Sequence, residues 1–207
     1  MFTNLKIFLI DYKKQYRYLK EYVKWKINGK PLPPHHIVKQ LAIRKYSRKC
    51  SITTLVESGT YLGEMVEAQR RYFQKIVTIE LSPALFESAK NKFQECKNVE
   101  IVLGDSGVLI RDIVVNLKAP AIFWLDGHYS GGDTAKGKNV TPILNELEAI
   151  IQSDKEHIIL IDDARLFNGE DEYPTIKNVE EFVKKANYNL TIKDDIIHLT
   201  KIPRNNR

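Results

Sequence analysis

From residue 51 onward, short apolar runs alternate with longer segments whose apolar residues recur every three or four positions. Ile52 to Val56, Ile76 to Ile79, Val99 to Leu103, Ala121 to Leu125 and Ile158 to Ile161 are mostly apolar runs with little polar alternation. Such runs predict strands covered on both faces, as in a parallel sheet. Between them, Gly63 to Phe73, Pro83 to Phe93, Ser106 to Leu117, Pro142 to Gln152 and Ile176 to Ala186 carry helical periodicity. Ser82 and Thr141 stand where N-caps belong, and Pro83 takes a first helical position, where its missing N–H costs nothing. Tyr188 to Lys193 and Ile196 to Lys201 face each other across Asp194-Asp195, a hairpin signal. Strand and helix in alternation predict a doubly wound α/β sheet of seven strands that ends in an antiparallel hairpin.

The first 50 residues follow a different pattern. Leu5, Phe8, Leu9, Tyr12, Tyr16, Leu19 and Val23 recur at helical spacing, while Lys13, Lys14, Arg17, Lys20 and Lys24 fall largely off that stripe. This predicts a basic amphipathic helix suited to anionic lipid, a polyanion or packing on its own domain. Asn28-Gly29-Lys30-Pro31-Leu32-Pro33-Pro34 ends it and reads as a linker. His35 and His36 follow; neighbours on a loop point apart, so they suit a substrate contact better than a metal pair. The division expected is an extension over 1–50 and a ligand-binding domain over 51–207.

Charge follows the same division. Residues 1–50 hold 13 Lys or Arg against Asp11 and Glu21, a net of +11, within a chain whose total is +6. The remainder therefore carries −5, which argues against a broad phosphate-binding face. No apolar run reaches the ~18 residues of a membrane span, and Leu5 to Ile10 is too short for a signal-peptide core. The two cysteines, Cys50 and Cys96, form no CxxC pattern. The expectation is a cytoplasmic chain without a structural disulfide, peripheral at the inner membrane face if the basic helix meets lipid, and open to homo-oligomer formation.

Candidate chemistry gathers at the ends of the strands. Ile122-Phe123-Trp124-Leu125 ends in Asp126-Gly127-His128, and Ile158-Ile159-Leu160-Ile161 ends in Asp162-Asp163. Ligands of open parallel sheets bind at the carboxyl ends of strands, so these acids and His128 should share one rim. They suit a hard divalent cation or acid–base work; capping of turns is the plainer use of the same residues. Upstream, Glu57-Ser58-Gly59-Thr60-Tyr61-Leu62-Gly63 follows the first strand. Gly59 permits a tight turn and close ligand approach, and Gly63 close packing of helix on strand. Glu80 closes the second strand, where an acid can accept both hydrogen bonds of a ribose diol. Gly104-Asp105-Ser106 closes the third, within reach of an adenine edge. Tyr61 stands where a dinucleotide fingerprint wants glycine. Glu57 would repel a pyrophosphate but suits a ligand carrying an ammonium and a sulfonium. S-adenosylmethionine is thereby favoured over NAD, and no Walker motif is present.

At these residues the chain resembles the class I S-adenosylmethionine-dependent methyltransferases, over roughly 51 to 202. The resemblance implies a Rossmann-like sheet with a reversed seventh strand. It implies a cofactor site at Glu57, Gly59, Thr60, Tyr61, Gly63, Glu80, Asp105, Ser106 and Asp126. Within that class, Leu125-Asp126-Gly127-His128 and Ile161-Asp162-Asp163 are similar to the metal-dependent sugar O-methyltransferases of the macrocin type and their cephalosporin-hydroxylase-like relatives. In those an Asp after the fourth strand and an Asp pair after the fifth hold magnesium. Carried over, the ligands are Asp126, Asp162 and Asp163, which would chelate and orient the hydroxyls of a small-molecule or glycan-linked acceptor. Catalytic roles fall to Asp126 and to His128 as proton acceptor. The chain is shorter than typical members of that group, and its basic N-terminal segment has no counterpart there. Tyr129 to Lys138, with Asp133, reads as a gating loop. Glu146 faces either site or solvent, and Arg165 pairs with the acids or with an anionic substrate.

Other readings compete. A non-catalytic adenosyl-binding or scaffold protein would work through the basic helix. A nucleic-acid methyltransferase lacks the Asn/Asp-Pro-Pro-Tyr or Pro-Cys signatures. An NAD-dependent sugar oxidoreductase lacks both the full glycine fingerprint and a fitting Tyr-x-x-x-Lys dyad.

Overall fold

A computed structural model of the chain describes residues 17–127 and 142–203. Seven strands form one sheet: β1 (Thr54–Ser58), β2 (Lys75–Glu80), β3 (Val99–Leu103), β4 (Ile122–Leu125), β5 (Ile158–Ile161), β6 (Tyr188–Lys193) and β7 (Ile196–Lys201). Their order is β3-β2-β1-β4-β5-β7-β6. The first five are parallel, and β7 runs antiparallel between β5 and β6. The hairpin therefore inserts its second strand into the sheet and leaves its first at the edge. Both turn residues, Asp194 and Asp195, have positive φ, as a tight hairpin turn matching strand twist requires.

Alternating side chains build two apolar layers. Val56, Ile79, Phe123, Leu125, Ile159 and Ile161 face α5 (Ser106–Asn116), α6 (Ile143–Ile151) and α7 (Ile176–Lys184). Leu55, Ile76, Ile122, Trp124, Ile158 and Leu160 face α3 (Glu64–Gln69), α4 (Pro83–Phe93) and α2 (His36–Cys50). Helix α2 is the element the sequence pattern missed. It belongs to the stretch read as linker and extension, yet its Ile43 is fully buried in the second layer. His36 opens this helix and lies 2.7 Å from Gln40 through Nδ1, instead of standing on a loop.

The leading helix α1 is described over residues 17–27. Its Trp25 is buried with Ile37 and Val38 of α2, beside Tyr18 and Tyr22, and the indole N–H donates to the Pro31 carbonyl at 2.9 Å. Leu19 and Val23 of the apolar stripe are exposed; the aromatic side of the helix packs inward. Helix α3 stops at Gln69, short of Phe73. Strand β1 starts two residues later than the apolar run and extends through Glu57 and Ser58. Pro142 takes the N-cap position of α6; Thr141, expected there, lies outside the described residues. Among the described residues no helix is long and apolar enough to cross a membrane.

Candidate active site

The sheet order reverses direction between β1 and β4, the place where open α/β sheets bind ligands. Register decides what meets there. Ser58 pairs with Leu125, and Leu125 with Ile161. The next residues, Gly59, Asp126 and Asp162, therefore stand side by side at the carboxyl rim. Gly59 has φ +85°, and a Cβ on it would lie 2.5 Å from the Asp126 carbonyl oxygen. Its close approach is thus to the neighbouring strand end. Gly63, φ +68°, makes room for the Phe93 ring of α4, which a Cβ there would meet at 2.6 Å, so its packing is helix on helix.

Around the β1 turn the polar groups are buried and linked. The Thr78 hydroxyl donates to Glu57 Oε2 at 2.6 Å, and Thr60 Oγ1 lies 2.6 Å from Thr78 Oγ1. Burial pushes the Glu57 carboxyl up to about 8, against the Thr78 hydrogen bond and with help from Asp126 and Glu80 nearby. Glu80 accepts the Tyr61 N–H at 2.8 Å through Oε2 and the Ser82 N–H at 2.9 Å through Oε1. Asp105 caps α5, its Oδ1 accepting the Gly107 N–H at 2.9 Å. Glu80 and Asp105 thus fix their own loops, and each carboxylate oxygen keeps a second lone pair for a ligand. Tyr61 is half-exposed, in the left-handed region at φ 48°. Ser106 is buried beneath Gly127.

The acids after β4 and β5 gather as the rim argument predicts, and a residue absent from the sequence expectation joins them. The Lys39 ammonium of α2 donates to Asp162 Oδ2 and lies 3.6 Å from Asp163 Oδ1. Asp162 Oδ1 accepts the Asp163 N–H at 2.9 Å. Arg165 donates to Asp163 Oδ1 at 2.8 Å and also to Asp195 Oδ2. Arg165 therefore pairs with acids, one of them in the β6–β7 turn. That turn braces the loop further, since Asp195 accepts the Arg165 and Ala164 backbone N–H groups at 2.9 and 2.8 Å. Asp163 takes φ 53° to make this turn. Burial pushes the Asp126 and Asp162 carboxyls up, each raised further by neighbouring acids and opposed by Lys39; the two also share a hydrogen bond.

A small cavity lies beside Asp162, walled by Leu125, Gly127, Glu146, Phe167 and Tyr173, with room for roughly one water. Glu146 is buried here, with Oε1 unpartnered; burial pushes its carboxyl up to about 7. It faces the site side, not solvent. His128, Asp133 and the loop from Tyr129 to Lys138 lie outside the described residues.

A magnesium ion wants near-octahedral oxygen ligands at about 2.0–2.1 Å. Here both Asp162 oxygens are engaged, and Asp163 Oδ1 is held between Lys39 at 3.6 Å and Arg165 at 2.8 Å. Among the described residues no group of three or more His, Cys, Asp or Glu is arranged to hold a metal. As arranged, Asp126, Asp162 and Asp163 do not fit magnesium. The cofactor half fits S-adenosylmethionine better: acids line a turn whose glycine admits no side chain.

The seven-stranded sheet with its reversed last strand is the fold of S-adenosylmethionine-dependent methyltransferases. The chain superposes on a putative caffeoyl-CoA O-methyltransferase from Staphylococcus aureus with a TM-score of 0.59 at 14% identity, covering 95% of this chain and 99% of that one. It superposes on the O-methyltransferase TomG from Streptomyces achromogenes, solved with its methyl donor, with a TM-score of 0.58 at 15% identity, covering 89% and 88%. An O-methyltransferase from Bacillus cereus gives 0.55 at 13% identity, covering 89% and 90%. In sequence, 53 residues are 32% identical to a probable ribosomal RNA small subunit methyltransferase A of Methanosarcina acetivorans; the match covers 26% of this chain and 20% of that relative. No protein-family model matches the chain.

Proposed function

We propose that the chain is an S-adenosylmethionine-dependent O-methyltransferase that acts on a hydroxyl of a sugar or glycan-linked acceptor. The observation that carries this reading is the cofactor half: a tight turn at Gly59, closed by Asp126 and flanked by the buried acids Glu57 and Glu80. An ionisable acid suits the ammonium of the methionine moiety, and Glu80 suits the ribose diol. The fold shared with O-methyltransferases supports the same reading. The sugar acceptor and the magnesium ion come from the resemblance of the acid motifs; a magnesium site at Asp126, Asp162 and Asp163 would require Lys39 to withdraw.

The bound cofactor supplies an electrophilic methyl on sulfonium. The acceptor oxygen forms the new C–O bond as the S–C bond breaks and its electron pair stays on sulfur. The chain's part is to hold the acceptor in line and to take its proton. Asp126 follows β4 where the two halves meet, its backbone carbonyl against Gly59 and its carboxyl beside Asp162, which supports it as a candidate to accept that proton. His128 follows two residues later in sequence as the other candidate base.

Calorimetric titration of the full chain tests this reading. S-adenosylmethionine and S-adenosylhomocysteine should bind with Kd on the order of micromolar, while NAD and ATP should not. Preference for NAD, or no binding of either adenosyl ligand, would sink it.

A further inference from the structure

Lys39 is a built feature of the fold. Its helix is fastened to α3: the Gln69 side chain donates to the Gln40 carbonyl at 3.1 Å, and Arg44 donates to Gln69 Oε1 at 3.2 Å and to the Ala68 carbonyl at 2.9 Å. Gln40 and Gln69 are both buried. Below them, Ile43 is buried in the layer between helix and sheet. With α2 fixed in this way, Lys39 in its first turn extends over the ends of β4 and β5. Its side chain is 17% exposed and that of Asp162 is 0% exposed. An ammonium offers three donors around one point of charge. One is on Asp162, and Asp163 stands at 3.6 Å.

That point is where a divalent ion bridging the acid pair would have to sit. The two cannot share it: a metal needs the Asp162 oxygen that Lys39 holds, and two cations at this spacing repel. We propose that Lys39 is the resident cation of the acceptor side, filling the seat of a divalent metal and, together with Asp162, receiving the acceptor hydroxyl by hydrogen bonding. The claim about acceptor hydroxyl rests on the methyl-transfer reading; the claim about the cation seat does not. An ammonium orients an oxygen and balances charge as a metal does in part, without the metal's fixed octahedral demand. It also makes the N-terminal segment a contributor to the site, through a residue 123 positions away from its partner.

Manganese is a suitable probe, since it takes the same oxygen ligands as magnesium and its free and bound forms differ in electron paramagnetic resonance. The full-length chain at neutral pH should show no manganese site tighter than about millimolar. Lys39→Met should create one at least about tenfold tighter, lost again when Asp162→Asn is added. Lys39→Arg, which keeps the charge, should exclude the metal as the native residue does. Micromolar manganese binding by the native chain, abolished by Asp162→Asn, would overturn the proposal without any Lys39 variant needing to fold. Failure of a folded Lys39→Met to gain a site would overturn it equally. S-adenosylhomocysteine titrated into the same samples keeps the questions apart. If it fails to bind, the methyl-transfer reading falls, while the manganese result still decides the cation seat.

Discussion

At the scale of single residues, the chemistry of the cofactor half is set by burial. Glu57 accepts from Thr78 in a buried position, and its carboxyl is pushed up to about 8 by desolvation. It is therefore mostly protonated at neutral pH. A cationic ligand settling beside it favours the ionised form, so binding should expel a proton. Cofactor affinity should rise as pH climbs toward about 8 and level off beyond, as the proton no longer has to leave. Calorimetry in buffers of different ionisation enthalpy reads the proton release directly, and Glu57→Gln should abolish both release and slope. Affinity independent of pH in the native chain would show that Glu57 does not face the ligand's charge.

The same scale shows what the sequence could and could not disclose. Asp126, Asp162 and Asp163 were legible because an apolar run ending in acid announces a strand end, and parallel sheets collect strand ends. Lys39 was not legible. One lysine among the basic residues of α2 carries no local mark, and its partners are fixed only by the tertiary fold.

At the scale of elements, apolar periodicity located every strand and most helices, with boundaries shifted where polar residues continue a strand. Glu57 and Ser58 extend β1 because their neighbours on β2 and β4 keep pairing. Helix α2 escaped because Ile37, Val38 and Ile43 are few and are diluted by Lys39, Arg44, Lys45, Arg48 and Lys49. The joint between α6, β5 and β4 depends on His157. Its Nδ1 accepts the Ala121 N–H at 3.0 Å, and Nε2 meets Ser153 Oγ at 3.0 Å, a pattern that assigns the neutral Nε2–H tautomer. Burial pushes it down to about 4. A histidine depressed in the folded state contributes its full stability above the unfolded value near 6.5. That stability is lost as pH falls from there toward 4, because the unfolded chain binds the proton first. The loss attributable to this residue is on the order of 3 kcal/mol. Urea denaturation between about pH 7 and 4.5 checks it, with His157→Asn expected to flatten the acid side; an unchanged acid limb would rule out His157 as its source.

At the scale of the whole molecule, the sheet is sandwiched by two helical layers, and α2 completes one of them. A chain starting at residue 51 would lose Ile43 from its pocket, roughly 2–3 kcal/mol of burial. It would also lose the Arg44 and Gln40 contacts to α3 and the Lys39 counter-charge. For a domain of this size each kcal/mol is worth about 2–4 °C, so the fragment should melt at least about 10 °C below the full chain. Equal melting temperatures by calorimetry would mean that residues 1–50 fold and act apart from the domain.

The proposed function rests on the turn at Gly59 and the acids around it holding an adenosyl methyl donor. A crystal structure of the full chain with S-adenosylhomocysteine measures this most directly. Both ribose hydroxyls should lie within hydrogen-bond distance of Glu80, the adenine beside Asp105 and Ser106, and the sulfur should turn toward Asp126. A ligand bound elsewhere, or one whose ribose does not touch Glu80, would contradict it.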